Sequence, residues 1–309
     1  MGDIAEIILP VFGLIGLGYL AARSGYLSAR VEEGLAQFVF TVAIPAVMFR
    51  TLATSELPST LPWGYWLSYF GALAIVWMGC QLAARHLFHA PPKEAVIIGL
   101  SVVQANLVLA GLPLILRAFG PDAAVPIALL IAINLPITMT AASLLVESSG
   151  SGTTPAALAS LARNLATHPI LVALAAGLVV NTLGVKLAGP VDALVQQLAA
   201  AGPPTALFAL GLALQRYGLG DRLGATLAIT AVKLLLMPLL VWLLAHYVFA
   251  IPPLYANVAV LFAAMPVGVN VYLFARRYDT GVELSSSIVA VSTGLSVLTT
   301  GIWLWVLGA

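Results

Sequence analysis

Gly111-Leu112-Pro113 and Ala264-Met265-Pro266-Val267-Gly268 each fall in the middle of a long apolar segment, where a plain membrane helix has no use for a breaker. Proline removes a backbone donor and crowds the carbonyl four residues back, and glycine loosens the turn beside it, so each stretch predicts an interrupted helix. Within lipid, the freed backbone groups are tolerated only where protein encloses them around a cavity. Two such interruptions in corresponding halves of one chain point to a transport site.

The composition around these stretches sets the solvent. The 309 residues are 61% hydrophobic and 8% charged, with a mean hydropathy of +1.05, which identifies an integral membrane protein. Apolar runs bounded by Gly, Pro or charges fall at about 4–22, 33–51, 63–87, 95–119, 123–146, 165–183, 191–214, 223–249, 255–278 and 286–307, which predicts ten transmembrane helices. Met1 to Glu6 carry no Lys or Arg, unlike the start of a cleaved signal peptide, so the first apolar run is expected to stay as a span.

Ser148 to Thr154 is a polar Gly/Ser/Thr tract that divides the chain into two five-span halves, 1–147 and 161–309, joined by a linker over 148–160. An odd number of spans per half makes the second half enter the bilayer from the opposite side, the condition for an inverted repeat. Weak internal similarity agrees: Pro45-Ala46-Val47-Met48-Phe49 resembles Pro204-Thr205-Ala206-Leu207-Phe208, and Pro113 answers Pro266 at a similar offset.

Arg23, Arg30, Arg85, Lys93, Arg163, Arg216, Arg222, Arg276 and Arg277 fall on one side of this ten-span layout. Only Arg50, Arg117 and Lys186 fall on the other. The bias puts the richer side in the cytoplasm and both termini outside, in an inner or plasma membrane.

Polar side chains inside the spans are few. Gln104 and Asn106 precede Pro113, Asn270 follows Pro266 by about one turn, and Asn134 lies beside Pro136 in the fifth span. An amide offers donors and acceptors, so it can hold a carboxylate without the desolvation cost of a fixed charge; it can equally satisfy backbone groups freed by a break. Lys233 sits about 15 Å into the eighth span, where an unpaired charge costs about 3 kcal/mol or more. It therefore faces the interior, as an anion lure or in the place of a cation, or it snorkels to an interface. Arg50 reads as an outer lure for anions or as a helix-end arginine reaching the headgroups. Gly13, Gly16 and Gly18 make a small-residue face suited to close packing within the chain or between subunits.

Enzymatic chemistry has nothing obvious to use. Cys80 is the single cysteine, His86, His89, His168 and His246 form no ligand cluster, and neither HExxH nor a nucleotide-binding glycine loop is present, so no metal or cofactor is expected. No carboxylate sits clearly inside a span, which leaves the coupling ion open. A net charge of +1 offers no footprint for nucleic acid.

Leu9-Pro10-Val11-Phe12 with Gly16-Leu17-Gly18-Tyr19, Ile44-Pro45-Ala46, Asn106 followed by Gly111-Leu112-Pro113-Leu114, Leu207 to Leu212, and above all Pro266 to Tyr278 resemble, in order and spacing, the auxin efflux carrier family, to which the plant PIN auxin exporters belong. The resemblance covers nearly the whole chain. It implies an all-α fold similar to that of bile-acid sodium symporters, with ten helices as a 5+5 inverted repeat and crossed broken helices. Spans one, two, six and seven would form a scaffold through which a homodimer could assemble. Spans three to five and eight to ten would form a transport domain moving as an elevator. The substrate would bind beside Pro113 and Pro266 with Asn106 and Asn270, and Gly111, Gln104, Asn134 and Lys233 complete the candidate set. Bacterial members of the family carry malate, malonate or similar acids, and the plant branch exports an aromatic carboxylate. The expected activity is secondary transport of a small organic anion across the lipid bilayer. A receptor without transport and a passive anion channel are the alternatives.

Overall fold

The computed structural model describes residues 2–57, 62–148 and 155–308, and all regular structure there is helical. The helices are α1 Gly2–Arg23, α2 Arg30–Thr54, α3 Trp63–His86, α4 Pro92–Val103, α5 Leu107–Phe119, α6 Pro121–Ser148, α7 Pro155–Ala166, α8 Pro169–Thr182, α9 Gly189–Leu214, α10 Leu223–Val248, α11 Pro253–Ala263, α12 Val269–Arg277 and α13 Val282–Leu307. Among the described residues, seven helices are long and apolar enough to cross a membrane: α1, α2, α3, α6, α9, α10 and α13. The sequence segments at 95–119, 165–183 and 255–278 correspond to shorter pieces: α4 with α5, α8, and α11 with α12.

Proline sets many of the helix starts. α4, α6, α8 and α11 each begin on one, where the missing N–H would have had no partner in the helix anyway. Inside helices it behaves differently. Pro45, Pro113 and Pro238 each follow a five-residue π-turn, at Val39–Ala43, Leu107–Gly111 and Val232–Leu236. The wide turn makes room for the ring and absorbs the lost donor, so the helix continues.

This corrects the expected position of the first break. Gly111-Leu112-Pro113 does not interrupt its helix: Gly111 closes the π-turn and Pro113 is the second residue of the α-helical stretch Leu112–Phe119. The chain leaves helical geometry earlier, at 104–106, where Gln104 has φ −80° and ψ 100°. The second break lies where the sequence indicated, between Ala263 and Val269.

The most extensive helix contacts join α1 with α9, and the later half of α2 with α8. Glycine permits both. A Cβ on Gly18 would collide with the Phe208 carbonyl, and one on Gly211 with the Ile15 carbonyl, so α1 and α9 touch backbone to backbone. Gly13 and Gly16 have nothing near them, so the expected three-glycine face is one packed glycine and two that point away from the chain. Arg50 is neither a lure nor a free helix-end arginine. It holds Asp192 with two hydrogen bonds, 2.9 and 3.3 Å, tying the end of α2 to the start of α9. Arg216 reaches Glu32 and Glu33 at 2.7 and 2.9 Å and joins the other ends of the same two helices.

A second set of contacts joins α3 with α4, α10 with α11 and α13, and α12 with α13, and the two sets meet where α1 touches α5 and α13 and where α9 touches α5. Tyr65 and Trp66 of α3 donate to the carbonyls of Pro126 and Leu129 in α6, at 2.8 and 3.3 Å. Of the tract read as a linker at 148–160, residues 149–154 lie outside the described residues, and helix α7 occupies the remainder from Pro155.

Candidate substrate site at the helix crossing

The two breaks meet. The Asn106 N–H donates to the Pro266 carbonyl at 2.7 Å and the Gly268 N–H donates to the Gln104 carbonyl at 2.9 Å, making an isolated antiparallel bridge between Ala105 and Val267. Each break thus satisfies backbone groups that the other leaves open, which is what burial demands of them. Gly268 permits the approach, because a Cβ there would sit 3.0 Å from the Ala105 carbonyl oxygen. Gly111 serves similarly, since its Cβ would lie 3.2 Å from the Met265 side chain.

Groups from other helices hold the crossing. The Val267 N–H donates to Ser292 Oγ on α13 at 3.0 Å. Lys233 is fully buried, and its ammonium donates to the Ala263 carbonyl, the last residue of α11, at 2.6 Å. A cation at the carbonyl end of a half-helix meets its negative dipole end. The Leu234 carbonyl, four residues before Pro238 and so without its usual donor, accepts from the Trp303 indole at 2.9 Å.

A crevice of about 30 Å³ runs along the crossing. Gln104, Asn106, Gly268 and Asn270 line it from the breaks, while Phe40 of α2 and Ile170 of α8 face them from the other set of helices. Gln104 and Asn106 are almost wholly buried, yet Gln104 Oε1 and Asn106 Nδ2 have no partner. At the start of α12 the Val271 N–H donates to the Gly268 carbonyl at 3.0 Å, which leaves the N–H groups of Val269 and Asn270 without a helical acceptor. Donors around an enclosed pocket at a helix N-terminus suit a carboxylate.

Gln104, Asn106 and Asn270 of the expected site residues are therefore brought together, with Gly111 packed behind them. Pro113 and Pro266 are buried but line no part of the crevice; Pro266 contributes its carbonyl to the crossing. Asn134 is buried with both amide atoms unpartnered, and its neighbours Ile131 and Leu135 face the crevice while it does not. Lys233 touches the end of α11 rather than the crevice wall. Ser292 escaped the sequence reading because a serine in an apolar span has no distinctive spacing. Phe40 and Ile170 escaped it because they are ordinary apolar residues until a fold sets them opposite the amides.

Comparison with known proteins agrees with this architecture. The membrane transport protein family profile matches residues 3–304. A protein of Rhizobium meliloti named "Putative malonate transporter" is 31% identical over 302 residues, 97% of this chain and 94% of that one. An uncharacterized transporter of Methanothermobacter thermautotrophicus is 25% identical, covering 96% of each chain. The lysosomal cholesterol signaling protein of Mus musculus is 25% identical across 97% of this chain, which spans 37% of that longer protein. With a match that runs over nearly its full length and a helical membrane fold, this chain belongs to the membrane transport protein family, the auxin efflux carrier-like group its motifs resemble.

Proposed function

We propose that the protein is a secondary carrier of a small organic anion, with the substrate's carboxylate held at the crossing of the two breaks. The observation that carries this is the buried Asn106, whose amide donor Nδ2 has no partner beside the crevice that Gln104 also lines. The orphaned Asn106 Nδ2 costs about 1–3 kcal/mol, a cost that a bound carboxylate would relieve by accepting its N–H, whereas the orphaned Gln104 Oε1 calls for a donor on the substrate, such as a hydroxyl or a protonated carboxyl. The similarity to a protein named for malonate transport fits an acid of this class.

In this reading the chain crosses the membrane ten times as two inverted five-span halves, with α4–α5 and α11–α12 as the crossed broken spans. α1, α2, α8 and α9 form the scaffold, and the remaining spans carry the site past it as an elevator. Two features support the division: the close glycine-mediated packing of α1 on α9, and the crevice lying between amides of one set and Phe40 and Ile170 of the other. Lys233, fixed on the carbonyl end of α11, acts as an internal cation of the moving part. The basic ends of the spans face the cytoplasm.

Uptake of labelled malonate and succinate into proteoliposomes tests the site. Asn106→Ala and Asn270→Ala are expected to abolish saturable uptake and counterflow while the purified protein keeps its yield and melting temperature. Unchanged uptake in both variants removes the proposed site.

A further inference from the structure

A larger vestibule of about 280 Å³ lies next to the crevice, and Leu135 and Asn270 line both. One wall of the vestibule is a face of α12. Asn270, then Leu273 and Phe274, then Arg277 stand at successive turns along it, so the wall runs from amide through apolar to cationic. Across from it are Asn164 at the end of α7 and His168 at the start of α8, with Met139 and Ser143 of α6 between.

The rim is short of counter-charges. Arg277 is exposed and enters no ion pair among the described residues; its guanidinium lies 5.7 Å from the Tyr278 ring centre. His168 Nδ1 is buried and has no partner. The nearby carboxylate of Glu147 accepts from the Tyr278 hydroxyl at 3.4 Å and is not part of the vestibule wall.

We propose that Arg277 and His168 form a second anion-binding subsite, so that the carrier engages an acid at both ends: one carboxylate at the amides of the crossing, the other at this rim. The inference rests on the carrier reading above. Size decides where the substrate lies. A crevice of about 30 Å³ admits roughly two or three water-sized groups, and so a carboxylate head but not a whole acid. The body of the substrate must then occupy the vestibule. Asn270 and Arg277 are about 10 Å apart along the helix axis, and helical side chains lean toward the N-terminus, which brings the guanidinium back toward the amide. The spacing selects a dicarboxylate whose carboxylates are separated by several carbons, and Leu273, Phe274 and Met139 offer that spacer an apolar wall. Arg277 supplies planar, bidentate recognition of the far carboxylate.

Titration of the purified protein with straight-chain dicarboxylates from malonate to adipate, and with monocarboxylates of equal length, tests this. In the wild type, glutarate or adipate is expected to bind about tenfold more tightly than the matching monocarboxylate. Arg277→Gln is expected to erase that preference and leave monocarboxylate Kd values unchanged, and Arg277→Lys to retain part of it. His168→Gln is expected to reduce the preference without abolishing it. Absence of a dicarboxylate preference in the wild type overturns the subsite and leaves the carrier reading standing, as does an Arg277→Gln variant that weakens both classes equally. Failure of every carboxylate to bind overturns both.

Discussion

The ammonium of Lys233 donates to the carbonyl of Ala263 at 2.6 Å, closing the carbonyl end of the half-helix α11 from inside the protein. The bond joins a π-turn of α10 to the second break, one residue before the chain turns toward Pro266. A buried donor thus supports the crossing without entering the crevice.

Lys233→Met removes that donor and leaves a buried carbonyl unsatisfied. A loss of about 1–3 kcal/mol is expected, read as a lower melting temperature in detergent, together with reduced uptake. A wild-type melting temperature in this variant would show that the bond is dispensable.

Gly268 has room for little more than hydrogen. Gly268→Ala must push its Cβ against the Ala105 carbonyl, 3.0 Å away, and is expected to lower uptake severalfold, while Gly268→Val should abolish it by prising the breaks apart. Uptake in proteoliposomes of equal protein content is the measurement, and full activity in Gly268→Val would refute the close crossing.

The α1–α9 contact predicts an asymmetry among glycines. Gly211→Ala drives a methyl into the Ile15 carbonyl and should reduce the folded yield sharply, whereas Gly16→Ala meets nothing and should leave yield and melting temperature unchanged. Size-exclusion profiles of the two variants check it; equal behaviour would mean that the helices do not touch there.

Elevator motion requires Phe40 and Val108, which line the crevice from different helix sets, to move past each other. Cys80 is the only cysteine, so Cys80→Ser with Phe40→Cys and Val108→Cys gives a clean pair. A short bifunctional thiol reagent is expected to stop uptake in this protein and spare both single-cysteine controls. Continued transport by a fully cross-linked sample would argue against relative motion of the two sets.

Much of the architecture was legible from residues. Apolar run lengths located the seven helices long enough to cross a membrane, because hydrocarbon thickness imposes that length, while the runs at 95–119, 165–183 and 255–278 hold shorter helices; Pro266 with Gly268 marked the second break, because neither residue serves an unbroken helix there. The first break was misjudged by reading Pro113 in the same way. A proline's effect depends on the turn before it, and the π-turn at Leu107–Gly111 accommodates the ring, as others do ahead of Pro45 and Pro238. Arg50 was misjudged for want of its partner, since Asp192 lies far away in the chain.

By itself the sequence determined that this is a helical membrane protein with polar amides concentrated near two interruptions, because hydropathy and proline geometry act locally along the chain. Only the tertiary structure decided that the interruptions pair with each other, that Lys233 caps one of them, and that Phe40 and Ile170 wall the crevice. Those outcomes depend on hydrogen bonds and packing between segments remote in sequence, for which no local pattern of residues carries the register.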